Sequence, residues 1–145
     1  MILVEMVHDA RIIPIYDTPE EARTNRRPFI HEPWFGDSVG WYEGNELVVE
    51  TVNIHPQQMS QSSIPITKEG KITERFSRYA DNEIFYKFIV EDSNIYSRTW
   101  TAELSFYNSS VPWYEYACHE GNYSMPGSLA GARRLEMEEA GLLEQ

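Results

Sequence analysis

Short runs of β-branched and aromatic residues, separated by turn residues, recur along most of the chain. Runs of this kind, bounded by Gly, Asn, Asp or Pro, are typical of β-strands. The predicted strands are Ile2–Val7, Arg11–Tyr16, Gly40–Glu43, Leu47–Ile54, Lys71–Ala80, Ile84–Asp92, Ser97–Tyr107 and Trp113–Cys118. Short turns between them favour antiparallel neighbours. The pattern therefore predicts a mainly β (or α+β) fold: an antiparallel barrel, half-barrel or curved sheet of about eight strands.

The pattern changes after Cys118. Pro126 suits a first helical turn, and Leu129–Glu144 is rich in good helix formers, so we expect a C-terminal helix over about 126–140. This helix would cover one end of the barrel or pack on a partner. Two long connections, 17–35 and 54–70, are candidate lids or binding loops. A chain of 145 residues suits a single domain spanning 1–145.

Strand alternation places charges on faces that are otherwise apolar. In Lys71–Ala80, Glu74 and Arg78 share a face with Ile72 and Phe76, because residues i and i+2 lie on one side of a strand. The same parity puts further polar and aromatic residues inside: Glu50, Arg98 and Asp92, with Tyr86 and Trp100. Buried charges must pair with each other or with a bound molecule.

Two interpretations of these inward charges stay open. They form a structural ion-pair network, or they form the floor of a ligand pocket with an aromatic wall. In the second case Arg78 and Arg98 would clamp an anionic group, and Glu50 or Glu74 would be a desolvated base with a raised pKa.

Gly36-Asp37-Ser38-Val39-Gly40 has the lettering of a serine-hydrolase nucleophile elbow, G-x-S-x-G. That motif needs a strand before the serine and a helix after it. Here Pro33 breaks the approach, and a predicted hairpin follows. We therefore expect the glycines to serve a tight turn, with Asp37 and Ser38 bonding to local backbone.

Composition limits the classes of partner that the protein is expected to bind. A net charge of −11 argues against nucleic acid and anionic membranes, and no apolar run is long enough to span a bilayer. A single cysteine and the lack of a signal peptide at the start of the chain favour the cytoplasm. Arginines outnumber lysines nine to three, which suits planar recognition of carboxylates. Exposed strand edges predict a homo-oligomer.

The histidines are His8, His31, His55 and His119, and none has the spacing of a zinc site. We therefore predict neither a metal nor another cofactor. Cys118 and His119 are adjacent, so on an extended segment they point to opposite sides and cannot act as a nucleophile–base pair. His119 is the better functional candidate.

Several strings resemble a large family of β-rich proteins from environmental bacteria. Its members carry strings close to GDSxGxWEGDTLVVxTxN, ERF, an acidic pair, TRPWT, YEYxCHEGN and GAR. Here these correspond to Gly36–Asn53, Glu74-Arg75-Phe76, Glu91-Asp92, Ser97–Thr101, Tyr114–Asn122 and Gly131-Ala132-Arg133. Tyr42 replaces a tryptophan, and the Arg98-Thr99-Trp100 segment lacks the proline of the family string.

The resemblance implies one intact domain, and it assigns no activity. Many relatives are longer and carry secretion signals, and a short version of this kind would suit a mobile gene-cassette product. The motif segments contain Asp37, Glu43, Glu50, Glu74, Arg98, His119 and Asn122.

The leading hypothesis is a protein that binds a small organic ligand in a pocket with an aromatic wall and a floor of Arg and Glu side chains; an anionic ligand is one option. The candidate ligand-binding residues are Arg78, Arg98, Trp100, Tyr86 and Asp37. The first alternative is an enzyme of the lyase, isomerase or cyclase type, with Glu50, Glu74 or His119 as general base. The second alternative is an oligomeric interaction module whose charge cluster is purely structural.

Overall fold

A computed structural model describes residues 1–4, 9–60, 64–112, 114 and 123–142. They fall into two compact units: one holds residues 1–4 and 9–112, and the other holds 114 and 123–142. The single domain over 1–145 stays a prediction. The predicted strand Trp113–Cys118 lies outside the described residues except for Tyr114, which has no regular secondary structure.

The first unit contains eight described strands. β1 (Ile2–Val4) and β2 (Asp9–Arg11) form an antiparallel ribbon. The remaining strands form one six-stranded sheet in chain order: β3 (Ile15–Tyr16), β4 (Asp37–Glu43), β5 (Glu46–Val52), β6 (Lys71–Ala80), β7 (Glu83–Glu91) and β8 (Trp100–Tyr107). Among the described strands, only the β3–β4 pair is parallel. Within the described part the sheet is open, with β3 and β8 at its edges, so the mainly β prediction is confirmed as an open sheet.

The hairpin predicted after Ser38 is confirmed as β4–β5, and a short turn joins the predicted strands Lys71–Ala80 and Ile84–Asp92 as the hairpin β6–β7. Gly44 has a φ of 62° in the β4–β5 turn, a conformation that glycine adopts without strain. The predicted strand Arg11–Tyr16 is interrupted between β2 and β3, where Pro14 has no N–H for a ladder.

Two short helices lie in the segments predicted as long loops. Helix α1 (Pro19–Thr24) begins after Thr18, whose Oγ1 accepts a hydrogen bond from the Glu21 N–H at 3.1 Å. A 3-10 helix covers Pro56–Ser60. The sequence Thr18-Pro19-Glu20-Glu21 is a recognisable N-terminal helix signal, since an N-cap hydroxyl and a proline at the first position favour a helix start.

The sheet has two different faces, set by the strand register. Glu50 lies opposite Thr73, whereas Glu74 lies opposite Val49, so the two glutamates are on opposite faces. This corrects the prediction that Glu50 and Glu74 share one interior. A one-residue difference in register moves a side chain to the other face, and parity within a single strand does not fix the register between strands.

We call one side the helix face. It carries Val39, Trp41 and Val48, which form a buried cluster with Ala22 of α1. We call the other side the cavity face. Its Ile72, Phe88 and Val90 pack with Ile54 and Ile66, which come from the connection between β5 and β6.

The second unit is described by helix α2 (Ser124–Glu139), which confirms the predicted C-terminal helix. Gly141 has a φ of 67°, and its N–H bonds to Glu138 O while Leu142 N–H bonds to Met137 O. These two bonds form a Schellman motif, which satisfies the last carbonyls of the helix. No helix among the described residues is both long and apolar enough to cross a membrane.

Candidate functional site

The cavity face carries a buried ion pair between Arg11 and Glu74. Strand β2 ends at Arg11, whose Nη1 donates to Glu74 Oε1 at 3.0 Å and whose Nη2 donates to Oε2 at 2.5 Å. The two side chains are 17% and 7% exposed. A two-point contact of this kind fixes the orientation of both planar groups.

Three hydroxyl groups complete this cluster. Arg11 Nη2 also lies 3.2 Å from Ser38 Oγ and 3.1 Å from Thr51 Oγ1, and those two hydroxyls are 2.8 Å apart. The Tyr86 hydroxyl donates to Glu74 Oε1 at 2.9 Å. Each oxygen of the Glu74 carboxylate therefore has a donor. We call these five residues the Arg11 cluster.

Electrostatics favours the charged ion pair and a neutral phenol. Burial by itself lowers the pKa of Arg11, but the hydrogen bonds and the charge of Glu74 raise it above its ordinary value. Burial, reinforced by the neighbouring Glu74 charge, raises the pKa of Tyr86 far above its ordinary value. Tyr86 is therefore a hydrogen-bond donor to Glu74 at every physiological pH.

A cavity of about 270 Å³ opens beside the Arg11 cluster, and we call it the main cavity for this position, although two other cavities in the described residues are larger. Its polar lining consists of Arg11, Thr51, Gln58, Glu74 and Tyr86. The rest of the lining is apolar: Phe35, Ile54, Ile64, Ile66, Ile72, Phe88 and Val90. An apolar wall with a few convergent polar groups is the usual form of a small-molecule site.

The segment 25–35 brings Phe35 to the main cavity, and a buried asparagine anchors this segment. Asn53 has a φ of 55°, and its Nδ2 donates to Phe29 O at 3.2 Å and to His31 O at 2.6 Å. Gly36, with a φ of 77°, turns the chain directly after Phe35, and a Cβ there would lie 2.8 Å from Ile54. The position of Phe35 is therefore set from both sides.

A second cluster of charges lies on the helix face. Glu50 accepts from Arg23 Nη2 at 3.0 Å and from Arg26 Nη2 at 2.6 Å. Asp37 accepts from Arg27 Nε at 2.7 Å, and Arg26 Nη1 lies 3.8 Å from it. Arg26 is thus shared between two buried carboxylates, which ties α1 and the following segment to the sheet.

Glu50 does not have the properties predicted for a base. Burial opposes its ionisation, but the hydrogen bonds and charges of Arg23 and Arg26 outweigh this and lower the pKa of Glu50. The expected raised pKa is therefore wrong for Glu50, since its partners compensate the desolvation.

Arg78 and Arg98 do not face an interior, which corrects their predicted position. The Arg78 side chain is 72% exposed and bonds to Asp81 at 3.2 Å. Arg98 is also exposed, and β8 begins only at Trp100. Both arginines lie at strand ends, beyond the segments that cover the cavity face, so parity gives their direction but not their burial.

The other predicted ligand-binding residues have separate positions. Tyr86 lines the main cavity. Trp100 packs edge-on against Phe88, with ring centroids 5.7 Å apart, behind the cavity wall. Asp37 belongs to the cluster on the helix face. Of the predicted residues, the structure brings Glu74 together with Tyr86 on the cavity face, and Glu50 together with Asp37 through Arg26 on the helix face. His119 lies outside the described residues.

Asp92 is a buried carboxylate that accepts hydrogen bonds from backbone N–H groups of two loops. Its Oδ2 accepts from the Thr67 N–H at 2.5 Å, and its Oδ1 accepts from the Asn94 N–H at 2.9 Å. Burial opposes ionisation here too, but these hydrogen bonds lower the pKa of Asp92. Asp92 therefore links the loop that contains Thr67 to the loop that contains Asn94.

Ser38 is a buried strand residue. It lies within β4, and no helix follows it, so the rejection of a nucleophile elbow is confirmed. Its partners are Arg11 and Thr51, and a serine of this kind needs a base that the described residues do not place beside it.

The arginine partners were missed from the sequence. Arg11 ends the short strand β2, and Arg23, Arg26 and Arg27 lie between β3 and β4 on a short helix and a connecting segment. No strand periodicity assigns these three to a face of the sheet. The excess of arginine over lysine was the one available signal.

Comparison of the chain with family models, with curated proteins and with solved structures gave no match. The family resemblance and the cytoplasmic location therefore stay predictions. Among the described residues, no group of His, Cys, Asp and Glu side chains is arranged to hold a metal ion.

Proposed function

We propose that the protein binds a small organic molecule in the main cavity, with the Arg11 cluster as its polar floor. The observation that carries the proposal is the cavity of about 270 Å³ beside a buried, pre-organised set of polar groups. An apolar cavity of roughly 150 Å³ accommodates benzene. The main cavity therefore suits a molecule of one or two rings or a branched chain.

The polar floor favours an uncharged group at this position. Arg11 and Glu74 neutralise each other, so the floor has no net charge to attract an anion. The Tyr86 oxygen donates to Glu74 and retains acceptor capacity, and the Gln58 amide also lines the cavity. A ligand with an apolar body and one hydrogen-bonding group fits these donors and acceptors.

Binding is supported better than proton-transfer catalysis. A general base needs a free lone pair within reach of its substrate. Both candidate carboxylates are instead paired with arginines, Glu74 with Arg11 and Glu50 with Arg23 and Arg26, and the pKa of Glu50 is lowered. The cluster positions a ligand without needing to take its proton.

A fragment screen by two-dimensional NMR tests the proposal. Uncharged one- and two-ring molecules should shift the amide resonances of Ile72, Glu74, Phe88 and Val90, which surround the main cavity. Ile72→Phe should fill the cavity and raise the Kd of these molecules by about tenfold or more, since the larger side chain occupies the volume that the ligand needs.

Ile89→Phe is the matched control. Ile89 neighbours the cavity residues Phe88 and Val90 on β7, but it points to the opposite face of the sheet. The Ile89→Phe variant should bind the screened molecules with the same affinity as the wild type. Equal binding by the wild type and Ile72→Phe would contradict the proposed site.

A second candidate function is self-association through β8, the edge strand of the described sheet. Leu104 and Phe106 on β8 and Ile84 on β7 are 41%, 47% and 44% exposed on one face. An open edge next to apolar side chains favours pairing with the same strand of a second copy, which is self-complementary. Light scattering should show a dimer for the wild type and a monomer for Leu104→Glu; a monomeric wild type would exclude this candidate.

A further inference from the structure

A second, smaller cavity adjoins the main one. This side cavity has a volume of about 210 Å³, and Arg11 and Phe35 line both cavities. Arg11 bonds to Glu74 and Thr51, which line the main cavity, and to Ser38, which lines the side cavity. Arg11 and Phe35 are therefore shared between the two spaces.

The side cavity combines spare cationic donors with an apolar rim. Arg27 lines it and uses its Nε and its backbone N–H to hold Asp37. Its two terminal nitrogens make no hydrogen bond within the described part of the chain. Arg11 Nε is buried and likewise has no acceptor among the described residues. The rim includes Ile12, Pro33 and Trp34.

The described lining of the side cavity contains two arginines, Arg11 and Arg27, and no acidic residue, although the chain is strongly acidic. Arg27, whose side chain is 55% exposed, carries the free donors.

We propose that the side cavity binds the carboxylate of an organic acid, with the apolar body of this ligand extending past Phe35 into the main cavity. The inference rests on the proposed function, and it names the ligand class: a monocarboxylate with a small aromatic or aliphatic body. The planar fork of Arg27 matches a carboxylate, and the uncharged floor of the main cavity matches the body.

The test compares two probes of nearly the same size and shape, the anionic 4-phenylbutyrate and the neutral 4-phenylbutanamide, by calorimetric or NMR titration at neutral pH. The wild type should bind the carboxylate about tenfold more tightly than the amide, a preference of ~1.4 kcal/mol. Arg27→Gln should abolish this preference, and Arg27→Lys should keep part of it, because the charge stays while the fork is lost.

Arg23→Gln is the matched control. Arg23 is 51% exposed and also holds a buried carboxylate that Arg26 shares, but it does not line the side cavity. Its carboxylate preference should equal that of the wild type. Added salt should also reduce the preference in the wild type, a measurement that needs no variant, because Arg27 is half exposed.

The outcomes separate the two proposals. If both probes bind the wild type equally, or if Arg27→Gln keeps the full preference, the carboxylate site is overturned while the main cavity remains a binding site. If neither probe binds, the carboxylate site is overturned, and the fragment screen decides separately whether the main cavity binds other molecules. Ile72→Phe should weaken both probes; unchanged binding of the carboxylate there would overturn the extension into the main cavity.

Discussion

Arg11 and Glu74 are 63 positions apart in the sequence and form a two-point ion pair on the cavity face of the sheet. The pair joins the β1–β2 ribbon to the third strand from the β8 edge of the sheet. Removing either partner should destabilise the fold strongly, because it leaves the other charge buried and unpaired.

We predict that Arg11→Met lowers the free energy of unfolding by about 3 kcal/mol, because it leaves the Glu74 carboxylate buried with Tyr86 as its remaining donor. Adding Glu74→Leu should restore much of the loss, with a coupling energy of about 2 kcal/mol. Urea unfolding of the two single variants and the double variant measures this cycle.

The exposed cross-strand pair Lys87–Glu103 is the control for that cycle. Its side chains are 36% and 50% exposed, and the charged atoms lie 3.2 Å apart. A cycle of Lys87→Met and Glu103→Leu should give a coupling below about 1 kcal/mol. Strictly additive effects at Arg11 and Glu74 would contradict the structural role of that pair.

Arg26 should be more important for stability than any other arginine of the helix-face cluster. Its side chain is 14% exposed, and it contacts both Asp37 and Glu50. We expect Arg26→Met to cost roughly 3 kcal/mol, because two buried carboxylates lose a partner at once. Thermal and urea unfolding measure this loss.

Arg78→Met is the comparison for Arg26→Met. Arg78 has the same charge and one partner, Asp81, but its side chain is 72% exposed near the end of β6. Its substitution should change the free energy of unfolding by less than about 0.5 kcal/mol. Equal losses for the two variants would show that the helix-face ion pairs add nothing.

The sequence predicts the sheet well where local signals are strong. The turns Gly44-Asn45 and Asp81-Asn82-Glu83 fix two hairpins, and alternation in β6 correctly places Glu74 on an apolar face. Both features depend on a few neighbouring residues, which the sequence displays directly.

The arrangement of the site could not be predicted in the same way. Whether Glu50 and Glu74 meet depends on the register between β5 and β6, and one residue of slip exchanges the faces. Arg11 reaches Glu74 only through the path of the chain before β3. Contacts between residues far apart in sequence leave no periodic trace in either segment.

Ser38 should not react with serine-directed fluorophosphonates. Its side chain is buried in β4, and its oxygen bonds to Thr51 and Arg11, of which neither is a base. Intact-protein mass spectrometry should show no added mass after incubation of the native protein. Ser38→Ala provides the reference, and stoichiometric labelling that this substitution removes would restore the hydrolase interpretation.

Acid should weaken the ion pairs of the helix-face cluster, and the ionisation of Glu50 determines the direction in which stability changes with pH. The folded state lowers the pKa of Glu50 below its ordinary value of 4.5. Its ion pairs with Arg23 and Arg26 therefore stabilise the fold fully above about 4.5, and this contribution disappears as the pH falls through the folded pKa. The arginines stay charged across this range, so the loss comes from protonation of the carboxylate.

Glu50→Gln tests this pH dependence. The variant should be less stable than the wild type at neutral pH, and the difference should shrink as the pH falls below about 4.5, since a protonated glutamate and a glutamine are both uncharged. Urea unfolding at a series of pH values from about 7 to 3 measures the two curves. Glu103→Gln, at the exposed pair on β7 and β8, should run parallel to the wild type. A gap between Glu50→Gln and the wild type that stays constant over the whole series would refute the assignment, because it would show that the ionisation of Glu50 is not what stabilises the cluster.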